Sequence, residues 1–149
     1  MKEKKTNDFA ELLDEFTAFT RNYCGNARKV APDPGLKRMV DIYEVAAVTT
    51  VDNLAVSFRQ QYKDLSPDQR AELDSRMDRS GAVEMLRQAN QFIGPNSGPL
   101  IAVKAATQII PKIKKLLREN MNIEEGGWTD WGMKWLDVII DNINALLPG

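Results

Sequence analysis

The sequence predicts an all-α fold: a compact bundle of about six helices, with one long central helix and a tryptophan-rich C-terminal helix. Two observations lead to this prediction. Apolar residues recur three and four positions apart along most of the chain, which is the spacing that lines one face of a helix. Prolines, glycines and capping residues divide this pattern into six segments, and no segment alternates as a strand does. The chain of 149 residues is expected to form a single domain over 1–149.

The first two helices have clear boundary signals. The first is predicted to begin at Asp8, with Glu11 completing a capping box, and to end at Gly25. Asp33-Pro34 then supplies an N-cap and a proline in the first turn, where its missing N–H costs nothing. The second helix is expected to extend from there to about Lys63, which makes it the longest of the six.

The third and fourth helices are predicted to be short. The stretch Ser66-Pro67-Asp68-Gln69 combines a cap, a first-turn proline and a glutamine at the third helical position. The polar helix that follows is expected to end at Gly81. A second short helix should stop at Gly94-Pro95, because proline cannot continue it.

The last two helices occupy the final third of the chain. The fifth is predicted over 100–121, with a kink or a break at Pro111. The sixth is predicted to start from Thr129 as its N-cap and to reach about Leu147. Pro148-Gly149 follows this helix directly, which leaves two alternatives open: a chain that is complete, or one module of a longer protein.

The composition narrows the range of chemistry. The chain has no histidine and one cysteine, so it cannot assemble a Ser-His-Asp or Cys-His nucleophile or an ordinary zinc site. We therefore expect no metal and no cofactor, and an enzyme is the less favoured class. Cys24 cannot form an internal disulfide, which favours a reducing compartment, the cytoplasm. We interpret this thiol as a small apolar residue rather than a nucleophile.

The net charge argues against a nucleic-acid partner, and the hydropathy argues against a membrane-spanning segment or a secretory signal. The formal net charge is −1, whereas a general nucleic-acid binder needs an excess of Lys and Arg to neutralise phosphates. No apolar stretch approaches the ~20 residues of a membrane-spanning helix, and the N-terminal residues lack the apolar run of a secretory signal.

All three tryptophans of the chain, Trp128, Trp131 and Trp135, lie within eight residues of one another, just after a Gly-Gly pair. On a helical wheel they share a face with Ile139. The apolar arc of this helix spans roughly 200°, wider than the ~100° stripe of an ordinary surface helix. Two interpretations follow. Either the tryptophans fill the end of the core, or they anchor contact with another protein or a second copy of the chain.

The fifth and sixth helices carry opposite charge. Residues 98–118 contain five basic side chains and no acid, and residues 119–149 contain six acids and one lysine. The first interpretation is that the two helices are neighbours whose charges pair. One alternative is a second partner-binding surface at Lys112, Lys115 and Arg118, or peripheral binding of the basic helix 104–118 to anionic membranes, which is less favoured than a protein partner. Another is self-association, with the basic face of one subunit against the acidic face of the next.

Asp52 is the only charged residue in a long apolar stretch of the second helix. With Thr49 and Asn53 it could form the polar contacts of a pocket for a small apolar or amphipathic ligand. The competing interpretation is a solvated edge, because Asp41 and Arg59 fall on the same side of the helix. Taken together, the sequence favours a non-catalytic module for protein interaction or self-association, with its interface on the tryptophan helix.

Overall fold

The computed structural model describes residues 8–92 and 99–147, and for 99–105 it describes the backbone alone. The described residues fold into six α-helices and contain no strand, which confirms the predicted all-α class. The helices are α1 (Asp8–Val30), α2 (Pro34–Asp64), α3 (Pro67–Ser80), α4 (Ala82–Phe92), α5 (Pro99–Asn120) and α6 (Trp128–Leu146). Within the described part of the chain, no helix combines the length and the hydropathy needed to cross a bilayer.

Capping side chains set the predicted starts of α2 and α3. The Asp33 carboxylate accepts a hydrogen bond from the backbone N–H of Leu36 at 2.9 Å. Ser66 and Gln69 form a reciprocal capping box, in which each side chain accepts from the backbone N–H of the other. Gly81 ends α3 in the left-handed conformation, with φ of 73°, which is accessible to glycine without a steric penalty. These three boundaries confirm the predictions.

Two helices continue where the sequence predicted an end or a break. α1 passes through Gly25 and ends at Val30, and α5 remains one helix across Pro111. In both, the apolar face continues beyond the residue in question: Ala27 follows Gly25 into the core, and Ile113 follows Pro111. Burial of these faces outweighs the local cost, which is about 1 kcal/mol for a glycine and about 3 kcal/mol for a proline inside a helix. The predicted stop at Gly94-Pro95 lies outside the described residues.

The core is centred on α1, which packs against all five other helices. Its buried face carries Phe9, Leu12, Phe19 and Tyr23, each at most 1% exposed. The long helix α2 packs mainly against α1 and α6. One side of α2 therefore faces solvent along its whole length, and this geometry determines the surface described below.

Ion pairs fasten α2 to α1 along their shared edge. Arg21 lies 3.4 Å from Asp52, Arg28 lies 2.7 Å from Asp41, and Arg59 pairs with Asp14. The residue numbers rise on one helix as they fall on the other, so the helices are antiparallel. All three pairs are partly solvated, and such pairs contribute ~0–1 kcal/mol each. They fix the register more than they stabilise the bundle.

Candidate functional site: an exposed tryptophan surface

The three tryptophans of α6 lie at the surface of the folded chain and do not fill the end of the core. Trp128 is 86% exposed, Trp131 54% and Trp135 39%, and Val138 next to them is 45% exposed. We call these four residues the tryptophan face. Tryptophan side chains are highly buried on average in folded domains, where each removes about 150–250 Å² from water. Their exposure is therefore the most unusual feature of this molecule.

The indole rings contact one another rather than extending separately into solvent. Trp131 and Trp135 stack with ring centroids 5.7 Å apart and an interplanar angle of 13°. Trp128 meets the edge of Trp131 at 6.2 Å and 81°. Aromatic pairs in these arrangements gain about 0.5–1.5 kcal/mol beyond the area they bury. The rings thus form one ordered aromatic surface.

The wide apolar arc of α6 is divided between the core and solvent. Met133, Leu136 and Ile143 on one side are fully buried. The structure differs from expectation at Ile139, which is 1% exposed and belongs to the core rather than to the tryptophan face. On a helical wheel Ile139 lies on the same side of α6 as Gly132, which packs against α2. A partner of the folded chain could not contact it directly.

The start of α6 also differs from the sequence prediction. The helix begins at Trp128 with Gly127 as its N-cap, and no side chain caps it. Thr129 lies inside the first turn, and its hydroxyl is 3.2 Å from that of Ser57 on α2. The predicted N-cap is therefore wrong. Trp128 is 86% exposed, so it does not form a hydrophobic staple, the apolar contact that often anchors the start of a helix.

A glycine allows α6 to approach α2 closely. A Cβ placed on Gly132 would lie 3.1 Å from Leu54 Cδ2 and 3.7 Å from Thr50 Cγ2. Together with the Thr129–Ser57 contact, this shows that α6 is antiparallel to α2. A cleft of about 200 Å³ opens on the outer side of the seam. It is lined by Thr50, Asn53, Leu54, Ser57, Trp128, Thr129, Trp131 and Gly132.

The outer side of α2 continues the apolar surface beyond the cleft. Ile42 is 69% exposed, Val45 68% and Val56 66%. Thr49 and Asn53 lie between them and are also exposed. These five residues, three and four positions apart, share one side of the helix, and we call them the α2 face. None of them is charged, which is unusual for the solvent side of a helix.

On the opposite flank of α6, the charged residues are used within the fold. The Asp130 carboxylate is buried, with 3% of its side chain exposed. It accepts hydrogen bonds from the backbone N–H of Gly126 at 3.0 Å, from Arg118 at 2.8 Å and from Lys134 at 3.1 Å. These three donors, the Gly126 N–H first, hold the pKa of Asp130 well below its usual range. This carboxylate fixes the turn before α6, and so the position of the tryptophans.

The basic surface predicted on α5 is reduced by this pairing. Arg118 is engaged by Asp130, and Lys114 forms an ion pair with Asp137 of α6. These contacts match the interpretation that α5 and α6 are neighbours whose charges pair. Lys112 remains exposed, and so does Lys115, whose ammonium is 3.9 Å from Glu119. The side chain of Lys104 lies outside the described part.

The structure separates Asp52 from the other two residues predicted to form a ligand pocket with it. Asp52 is paired with Arg21 of α1 and is 47% exposed. Thr49 and Asn53 both belong to the α2 face, and Asn53 also lines the cleft beside Trp131. The structure thus supports the solvated-edge interpretation of Asp52. The apolar cavity between α1, α2, α5 and α6 is not lined by Asp52, and its volume of about 10 Å³ leaves no room for a ligand larger than one water.

The single thiol is inert in this fold. Cys24 is fully buried in α1, and burial, followed by the nearby charge of Glu44, raises the pKa of Cys24 to about 12. It is therefore protonated at neutral pH and is not a nucleophile. Among the residues that the structure describes, no three His, Cys, Asp or Glu side chains cluster closely enough to hold a metal ion.

Comparison of this chain with protein-family models, with curated proteins and with solved structures found no match. The class of protein is thus defined by the fold and the surface alone: an all-α bundle with an ordered, exposed aromatic face.

Proposed function

We propose that this chain is a non-catalytic binding module whose interface is the tryptophan face of α6 together with the adjoining α2 face. The observation that carries the proposal is the exposure of three tryptophans on one helix, of which Trp131 stacks on Trp135 and meets Trp128 at its edge. Tryptophan is enriched among the residues that dominate binding energy in protein interfaces. The indoles here are already ordered by one another, so little side-chain entropy remains to be lost on binding.

The size of the exposed apolar area supports the same proposal. The exposed fractions of the three tryptophans add up to nearly two complete side chains. At about 250 Å² for each tryptophan, this corresponds to on the order of 400 Å². The largest apolar patch on a typical monomer is about 300–600 Å² and often functional. The α2 face enlarges this patch further, so contact with another macromolecule is the best explanation for it.

A protein is a better partner for this surface than nucleic acid or an anionic membrane. Both of those are recognised through basic side chains, and no residue of the tryptophan face or the α2 face is charged. Lys112 and Lys115 form a second, smaller candidate surface on α5. The cytoplasm is the compartment we propose, because a single buried thiol needs no oxidising environment.

Site-specific photo-crosslinking in cells that produce the protein would test the proposal. A p-benzoylphenylalanine in place of Trp128 keeps Trp131 and Trp135 intact and reports any protein that contacts the surface. The matched control carries the same group at Gln88, which is exposed on α4 and lies outside both candidate surfaces. We expect discrete adducts from position 128 and not from position 88.

The same crosslinking group in a Trp131→Ala, Trp135→Ala background should give few adducts, because truncating an interface anchor costs about 2 kcal/mol or more of binding. The proposal is wrong if position 128 forms no adduct beyond those of the control, or if its adducts are unaffected by the two alanines.

A further inference from the structure

The partner itself can be inferred from the chemistry of the surface, provided that the proposed function is correct. The tryptophan face and the α2 face contain Thr49 and Asn53 as their only polar side chains. A partner recognised through charge would find no complementary group here. Two copies of the same uncharged surface, in contrast, can meet without burying any ion or placing like charges together.

The area of the surface fits an interface between folded chains. The exposed fractions of its aliphatic residues add up to about two and a half side chains, those of Ile42, Val45, Val56 and Val138. Counting roughly 100 Å² for each of these and about 250 Å² for each tryptophan, one copy offers on the order of 700 Å² of apolar area. A standard stable interface removes about 800 Å² from each partner, so a second copy matches the area.

A protruding residue and a cleft lie side by side on this surface. Trp128 is 86% exposed and borders a cleft of about 200 Å³ at the α2–α6 seam. In a two-fold interface every contact occurs twice, so if Trp128 of one copy enters the cleft of the other, the reverse contact forms as well. The cleft offers the hydroxyls of Ser57 and Thr129 and the amide of Asn53, which an indole N–H can use as acceptors.

We infer that the partner of this surface is a second copy of the chain, and that the protein forms a two-fold dimer through α2 and α6. In this dimer the two helices of each copy pack against those of the other as a four-helix layer. The tryptophans become buried at its centre, where hot-spot residues of interfaces concentrate.

Sedimentation velocity from low to high micromolar concentration, together with tryptophan emission, tests the dimer. Ile42→Glu introduces a charge far from the tryptophans, and Arg38 one turn earlier offsets that charge in the monomer. Val45→Lys introduces the opposite charge, with Asp41 one turn earlier. The control is Ala71→Glu, at an exposed position of α3, which packs on α1 and α4. Circular dichroism confirms that each variant keeps its helix content.

We expect the wild type and Ala71→Glu to dimerise with rising concentration, and their emission to shift to the blue as the dimer forms. Both α2 variants should dimerise at least about tenfold more weakly, the effect of losing an interface hot spot. If either Ile42→Glu or Val45→Lys does not fold, sedimentation of the other variant, which carries the opposite charge, still tests the dimer.

Several results would overturn the inference. These are a monomer at every concentration, a dimer that both α2 variants retain, or a blue shift produced by phosphatidylcholine vesicles while the protein remains monomeric. Adducts at position 128 with a different protein, from a chain that remains monomeric, would overturn the dimer and leave the proposed binding function intact.

Discussion

The two flanks of α6 differ in whether the folded chain itself supplies partners for their side chains. Toward α5, charged groups meet: Asp130 binds Arg118, and Asp137 binds Lys114. Toward the outer side of α2, apolar groups remain in water beside an open cleft. The first flank is complete within one chain, since its charges have partners there. The second carries an aromatic surface that nothing in the described part of the chain covers. We infer that the contacts with α5 hold α6 in place, and that the exposed flank is the one available for binding.

The largest effect should come from comparing a buried and an exposed residue of α6. Leu136 is 0% exposed and Trp128 is 86% exposed, although they lie about two turns apart. Leu136→Ala should cost ~2–5 kcal/mol of unfolding free energy, because it leaves a cavity in the core. Trp128→Ala should cost at most ~1.5 kcal/mol, the contribution of its edge contact with Trp131. Urea unfolding at low protein concentration, where the monomer dominates, measures both. Equal losses of unfolding free energy would mean that Trp128 contributes to the core as much as Leu136 does.

The charged flank should make stability depend on acid pH through Asp130. The pKa of this carboxyl is lowered in the folded chain from its ordinary value of 3.8. Its contribution is therefore fully present above about 3.8 and is lost as pH falls toward the folded pKa. Asp130→Asn should lower stability at neutral pH and flatten the decline in acid. Urea midpoints from neutral to acid pH measure this.

A matched control for that experiment is Asp52→Asn. This residue also forms an ion pair with an arginine, but its side chain is 47% exposed, so the pair should contribute only ~0–1 kcal/mol. If both variants show the same loss and the same pH dependence, Asp130 is not the anchor of the α5–α6 flank.

The parts that sequence predicted well depend on local chemistry. The caps at Asp33 and Ser66 are set by side chains three residues from the groups they bind, so spacing alone predicts them. The charge pairing of α5 with α6 followed from their opposite compositions. The helix end at Gly25 and the break at Pro111 were predicted wrongly because burial of a continuing apolar face, a tertiary effect, outweighed their local preferences.

The site could be predicted only as a pair of alternatives. A helical wheel shows that α6 has surplus apolar surface, but not which part of it a neighbour covers. Here Ile139 is buried and Trp131 is exposed, because the side of α6 that carries Gly132 packs against α2, whereas Trp131 borders the open cleft. The α2 face was missed, although Ile42, Val45, Thr49 and Val56 recur at helical spacing without a charge among them. That uncharged spacing on the outer side of a long helix is the signal that could have revealed it.

The smallest expected effect concerns two glycines inside helices, Gly25 of α1 and Gly132 of α6. Replacing each by alanine tests how closely α6 packs against α2. A Cβ on Gly25 would meet no atom within 4 Å, whereas a Cβ on Gly132 would lie 3.1 Å from Leu54. Gly25→Ala should therefore stabilise the protein by about 1 kcal/mol, the gain in helix propensity. Gly132→Ala should gain less or nothing, because Leu54 must move to accommodate the methyl group.

Urea unfolding of both variants in parallel measures the difference, and equal gains would show that α6 is not held tightly against α2. The result also bears on binding. Gly132 lines the cleft, so a methyl group there narrows it, whereas the Gly25 variant leaves it unchanged. If the cleft receives a tryptophan from a second copy, Gly132→Ala should weaken the dimer and Gly25→Ala should not. One pair of variants thus separates the packing of α6 from the use of its exposed flank.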